Sequence, residues 1–273
     1  MFCDKKQIEL NIKFYLCGMI SKNKIKYIHS LELKKHRKAE GVFIAEGHKL
    51  VGDLLPVMEC VYVAGMEEWV SANRSRLSSS CEVDVVTADE LRKVSLLDAP
   101  QQVFAVFRQP SYSVSFADVA RRELCLALDE VQNPGNLGTI VRLADWFGIE
   151  HIFCSVGCAD IFNPKTVQAT MGGIARVKVH YVDLAAELQQ LSSEGKANIY
   201  GTFLDGENMY EKELANTGVI IMGNEGKGVS AEVAKTVNER LYIPNYPAGR
   251  ETSESLNVAV ATAIICAEFR RRG

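Results

Sequence analysis

The chain has 273 residues, 47% of them hydrophobic and 24% charged, with a formal net charge of −3. That length accommodates one large domain or two ordinary ones, and the apolar content is enough to build a core. No apolar run reaches the roughly eighteen residues of a membrane span, and the slight negative charge excludes indiscriminate nucleic-acid binding.

Residues 1–19 are read as an N-terminal extension. Asp4, Glu9 and Lys13 interrupt its apolar stretch and no small-residue cleavage site follows, so it is not a signal peptide and a cytoplasmic protein is expected. The eight cysteines lack paired metal-ligand spacing. They are read as reduced, buried thiols, and no metal is expected.

Residues 20–108 alternate helical and strand patterns, as in a small three-layer α/β sandwich. "KNKIKYIHSLELKKHRKAEG" is predicted as one helix with Ile25, Ile28, Leu31 and Leu33 inward, stopped by Gly41. From Lys22 to Lys49 there are eight Lys or Arg against three Glu. A basic face on a near-neutral protein suits a polyanion met on one side, although a solvated helix face has the same composition. The short strands "VFIAEG", "CVYVAG", "EVDVV" and "VFAVF" follow, separated by helical patterns. Residues 109–122, mixing Pro, Ser and charge, are read as a linker.

From residue 123 to 273 the strands become continuously apolar: "LCLAL", "HIFC", "VKVHY", "NIYGTF", "GVIIM" and "RLYIP". Such strands predict a mostly parallel sheet covered on both faces. The final "SLNVAVATAIICAEFRRRG" is predicted as a helix, with Ser253 and Ser255 suited to its N-cap. In open α/β sheets the ligand crevice lies at the carboxyl ends of strands. Three loops stand there: "NPGNLGTIVR", "GNEGKGVS" and "PNYPAGRETSESLN". Gly135 and Gly138 give only G-x-x-G, which lacks the spacing of a dinucleotide fingerprint, and Lys227 is followed by Gly228 rather than by the Ser or Thr of a phosphate loop.

In order and position, "NPGNLGTIVR", "IIMGNEGKGVS" and "IPNYPAGRETSESLNVAVA" resemble the three motifs of the SpoU (TrmH-type) RNA 2′-O-ribose methyltransferases. The front part, with "KKHRKAEGVFIAEGHKLV", is similar to the ribosomal-protein-like (L30e-like) substrate-binding domain of many members. The resemblance implies an α/β SPOUT domain with a C-terminal trefoil knot, a homodimer, and S-adenosylmethionine (AdoMet) as methyl donor. It implies an RNA partner, ribosomal RNA ahead of transfer RNA. The alternative from another class is a non-catalytic RNA-binding protein, and the presence of Arg142, Asn136 and Asn257 speaks against it.

Methyl transfer to a ribose hydroxyl demands an aligned donor and acceptor and help with proton loss, because the hydroxyl is a weak acid. By resemblance Arg142 holds a phosphate beside the target ribose, or acts as base, a role that conflicts with the high pKa of a guanidinium. Asn136 would hold Arg142 or the ribose, and Glu225 would accept a bond from Arg142 or from a backbone amide. Ser255 would meet substrate or cap the last helix, and Asn257 would orient the acceptor or tie the loops. The cofactor is expected mainly on backbone groups around Gly223, Ile243 and Leu256, with Thr202 in the same pocket. Lys34, Lys35, Arg37 and Lys38 are the RNA-binding candidates. The stretch from Pro244 to Ser255 is longer than the short form common in the family and carries Arg250 and Glu251, so cofactor contacts there shift by a residue or so.

Overall fold

A computed structural model of the protein describes residues 14–15, 20–247, 250 and 255–272. It divides into two compact units, Met1–Pro110 and Ser111–Gly273. No helix among the described residues is long and apolar enough to cross a membrane.

The first unit begins with β1 (Phe14–Tyr15), α1 (Lys22–Ser30), α2 (Lys34–Glu40) and β2 (Val42–Glu46). It continues through α3 (His48–Leu54), β3 (Cys60–Gly65), α4 (Glu67–Asn73), β4 (Glu82–Val85), α5 (Ala88–Val94) and β5 (Val103–Arg108). Its five strands form one mixed sheet in the order β1-β4-β3-β5-β2. Val42, Ile44, Phe104 and Val106 pack with Ile28, Leu91 and Val94 of α1 and α5. Phe43 and Phe107, on the alternate face, stack on each other and are fully buried. Burial of both alternating sets means that both faces of the sheet are covered.

Two expectations change here. Residues 14 and 15, within the expected extension, pair in parallel with β4. The single helix over 22–41 is two helices. Leu31 is fully buried, but Leu33, expected inward, is 53% exposed. The turn between the helices frees the carbonyls of Leu31 and Glu32, and the Arg37 guanidinium donates to both, at 2.8 and 2.6 Å.

The second unit runs α6 (Phe116–Arg122), β6 (Leu124–Leu128), α7 (Pro134–Trp146), β7 (His151–Ser155), α8 (Pro164–Ala169) and β8 (Lys178–Val182). It then runs α9 (Leu184–Glu194), β9 (Ile199–Asn208), β10 (Gly218–Met222), α10 (Ala231–Ala234), β11 (Glu239–Tyr242) and α11 (Val258–Arg271). The stretch read as linker therefore contains α6, capped by Ser115, and it buries Phe116, Val119 and Ala120 in the core. All pairings in the six-stranded sheet are parallel, in the order β11-β9-β10-β6-β7-β8. The chain moves from β6 outward through β7 and β8, then crosses to β9 and β10 on the other side. That reversal between β6 and β10 is where an open α/β sheet leaves a crevice.

Candidate active site

The crevice is framed by loops whose shape follows from short polar side chains. Asn133 caps α7, its Oδ1 accepting from the amides of Gly135 and Asn136 at 2.8 and 3.1 Å, and Pro134 occupies the first helical turn. Proline there costs no hydrogen bond and presets the backbone. Just upstream, Glu130 has a φ of 55°, unusual for a residue with a Cβ. Its amide donates to Ser155 Oγ, and its carbonyl accepts from Asn224 Nδ2.

Asn224 organises the loop after β10. Its Oδ1 accepts from Gly226 N and Lys227 N, and its backbone exchanges two hydrogen bonds with Gly228. The two limbs of this loop touch at Gly223, where a Cβ would lie 2.3 Å from the Gly228 carbonyl carbon. The buried Asp129 accepts from Ser230 N at 2.7 Å, tying the β6 and β10 loops together.

A cleft of about 470 Å³ opens beside these loops, within the range of small-molecule sites. The backbone-rich turn from Gly223 to Val229 forms one side, and Met222, Leu241, Ile243, Leu256 and Val258 supply apolar surface. All four expected cofactor residues, Thr202, Gly223, Ile243 and Leu256, line it, together with Glu225 and Ser255.

At its edge the three motif loops are joined side chain to side chain. Asn257 Nδ2 donates to Asn136 Oδ1 at 3.1 Å, and Asn136 Nδ2 donates to Glu225 Oε1 at 2.9 Å. Asn257 Oδ1 meanwhile accepts from Ala259 N and Val260 N, so Asn257 is the N-cap of α11. Ser255, expected as a possible cap, is exposed two residues upstream, and Ser253 and Glu251 lie outside the described residues. Arg250 is exposed, and its carbonyl accepts from Asn245 Nδ2.

Arg142 is not part of this chain of bonds. It is exposed and has no hydrogen-bond or ion-pair partner among the described residues, and Glu225 is bonded to Asn136 instead. Six residues along a helix place Arg142 about 120° round the axis from Asn136 and about 9 Å along it. Trp146 is 81% exposed on the same stripe as Thr139 and Arg142. Among the basic candidates Lys34, Lys35 and Lys38 are exposed on α2, whereas Arg37 is 1% exposed. Arg37 is therefore removed from the RNA-binding candidates, because its side chain is buried and its Nη1 donates to the carbonyls at the α1–α2 turn.

Comparison with known proteins adds the decisive observation. The SpoU rRNA Methylase family matches residues 123–267, which contain the whole crevice, and the MRM3-like substrate binding domain matches residues 22–105. This chain belongs to the SpoU family. It is 32% identical over 252 residues to the 23S rRNA (guanosine(2553)-2′-O)-methyltransferase of Bacillus subtilis, covering 90% of this chain and 96% of that one. A TrmH-family protein from Porphyromonas gingivalis matches with a TM-score of 0.83 at 41% identity, covering 94% of this chain and 100% of that one. An AdoMet-bound rRNA methyltransferase from Sinorhizobium meliloti matches at 0.81 and 29%, covering 93% and 97%. Within this SpoU chain, Asp129 and Asn224 were not singled out from sequence. Their signal was only position, Asp129 directly after β6 and Asn224 two residues past the end of β10, both strands that end at the crevice.

Proposed function

We propose that this chain transfers the methyl group of AdoMet to a ribose 2′-hydroxyl of ribosomal RNA. The observation that carries the reading is the bonded series Glu225–Asn136–Asn257, which joins all three family loops at the mouth of the cleft. The cleft suits AdoMet: it offers apolar side chains for a flat ring, backbone groups from the Gly223–Val229 turn, and the polar Thr202 and Glu225. When bound, AdoMet supplies a methyl group already activated on a sulfonium. The protein's task is then to hold the acceptor in line and ease the loss of its proton. Asn136 is fixed by Glu225 on one side and Asn257 on the other, so the lip beside the acceptor is preorganised. Arg142 supplies positive charge and a planar fork for the phosphate next to the target ribose.

The remaining parts of the reading follow from the family and are supported by the architecture. The position of β11 beyond β9, with α11 packed against α7, supports a C-terminal trefoil knot. The mixed sheet covered on both faces supports an L30e-like fold for the first unit, with Lys34, Lys35 and Lys38 as its RNA contacts. Trp146, Met171, Leu256 and Val260 expose apolar surface on and beside α7 and α11, which supports a homodimer formed there. Light scattering at micromolar concentration is expected to give twice the chain mass. A cytoplasmic enzyme fits this substrate.

The direct test is transfer of tritiated methyl from AdoMet into purified ribosomal or transfer RNA, followed by nuclease digestion. Label in a 2′-O-methylated nucleotide of ribosomal RNA is expected. Label confined to transfer RNA would correct the substrate, and label on a base would overturn the chemistry.

A further inference from the structure

Strand β9 leaves its ladder where it reaches the cleft. Gly201 pairs with Arg240, and the next pair is Glu207 with Leu241. Residues 202–206 are thus extruded between two adjacent partners on β11, a far larger excursion than the single extra residue of an ordinary bulge. Thr202, Phe203 and Leu204 of this excursion form one wall of the cleft.

The extruded segment is held by side chains in place of ladder bonds. Phe203 folds back so that a Cβ on Gly201 would lie 2.5 Å from its ring edge. The guanidinium of Arg240 lies 3.6 Å from the centroid of that ring. The same guanidinium donates through Nη2 to Asp205 Oδ1 at 2.5 Å. At the far end Gly206 presses on β11, where a Cβ would meet the Leu241 carbonyl carbon at 2.5 Å. Arg240 therefore grips the segment at two points that flank Leu204, itself 74% exposed. The Arg240 and Asp205 side chains are 40% and 75% exposed, so their pairing adds little to global stability. Contacts of that strength do not decide whether a domain folds, but they do select one conformation of a loop.

We propose that Arg240, acting through Phe203 and Asp205, is a positioning residue that sets the Thr202–Leu204 wall in the shape that receives AdoMet. It touches neither the methyl group nor the RNA. The inference rests on the reading that this cleft holds AdoMet. Released from the grip, the segment samples other conformations, and apparent affinity falls by the fraction that stays competent. Once the cofactor is seated, the chemical step is unaltered.

The test is Arg240→Gln in the full-length protein, with the AdoMet Kd measured by calorimetry and KM and kcat by methyl transfer. A competent fraction near one tenth raises Kd and KM by roughly tenfold and leaves kcat at saturating AdoMet within about twofold. Arg240→Lys keeps a cation over the ring and beside Asp205, and is expected to recover most of the affinity. Asp205→Ala, at an exposed side chain, loosens one of the two grips and serves if Arg240→Gln does not fold. It should raise Kd by a smaller factor with an unchanged melting temperature. Failure of the wild-type protein to bind AdoMet overturns the functional reading itself. Wild-type binding together with unchanged Kd in Arg240→Gln and Asp205→Ala overturns the positioning role alone, as does a fall in kcat at unchanged KM.

Discussion

Arg142 has no partner among the described residues, and an exposed cation on a helix that starts at the crevice is suited to an anion arriving from outside. Arg142→Ala is expected to abolish methyl transfer while leaving AdoMet affinity intact, because the cleft is lined by other loops. Arg142→Lys separates its two possible duties. If the guanidinium positions a phosphate, lysine keeps the charge but loses the planar fork, with a loss on the order of 10²-fold from imperfect alignment. If it acts as base, the pH–rate profile of the lysine variant moves toward a lysine pKa. Wild-type turnover by Arg142→Ala would remove both roles. A second residue-scale effect lies away from the crevice, at β7 and β8. His151 Nδ1 and His180 Nε2 are 3.0 Å apart, and the two rings stack. Burial, then the neighbouring His151 and Lys178, hold His180 down from the ordinary 6.5 to about 4. Above 6.5 the group is neutral folded or unfolded and adds no pH dependence. Between about 6.5 and 4 the unfolded chain takes up a proton that the folded chain refuses, so stability falls with falling pH. The melting temperature is expected to drop across that window, and to drop less in His180→Phe. An equal drop in both proteins would assign the acid sensitivity elsewhere.

At the scale of elements, α7 carries both Asn136 and Arg142, and its position depends on one glycine. A Cβ on Gly138 would lie 2.5 Å from the Ala169 Cβ and 2.6 Å from the Thr166 carbonyl oxygen, so α7 and α8 cross at contact distance. Neither neighbour is the free end of a flexible chain. Gly138→Ala is therefore expected to cost about 1–3 kcal/mol by overpacking. It should also disturb the Asn257–Asn136–Glu225 bonds and so weaken methyl transfer beyond the stability loss. Unchanged melting and unchanged activity would show that the crossing relaxes freely. The strands were legible in the sequence because continuous apolar runs such as Leu124–Leu128 and Gly218–Met222 leave few alternatives once both faces are buried. The motif loops were legible because Gly, Asn and Pro directly after such runs require special backbone. Less legible was whatever depends on distant partners. The break at Leu31–Leu33 sits in a run of good helix formers, and only the folded unit shows Arg37 turning inward to cap it. Helix α6 hid in a Ser- and Pro-containing stretch because it is only seven residues long, too short to show a helical period. The helical spacing of Trp146 marked a face without saying whether that face meets the core or the outside. Asn257 and Asn136 lie 121 residues apart, and no local pattern announces their bond.

At the scale of the molecule, a protein with net charge −3 must meet a polyanion through a local basic face. The first unit supplies a candidate in α2, where Lys34, Lys35 and Lys38 are exposed around the inward-facing Arg37. Replacing the three lysines with Ala is expected to weaken RNA binding. It should also flatten the dependence of affinity on salt, by roughly one unit of log–log slope for each phosphate that is no longer neutralised. AdoMet affinity should not change, since its cleft is built wholly from the second unit. Arg37→Ala makes the contrasting case. It removes the donors to the Leu31 and Glu32 carbonyls, and leaving a buried acceptor unmade costs about 1–3 kcal/mol. Its signature is a lowered melting temperature, with a salt slope unchanged in whatever fraction stays folded. Equilibrium RNA binding at several salt concentrations, run beside thermal melts, separates the two behaviours. If affinity and slope survive the triple lysine replacement, α2 is ordinary solvated surface and the RNA contacts lie on another face. If Arg37→Ala flattens the slope while melting normally, the buried arginine reaches RNA after a rearrangement of the α1–α2 turn.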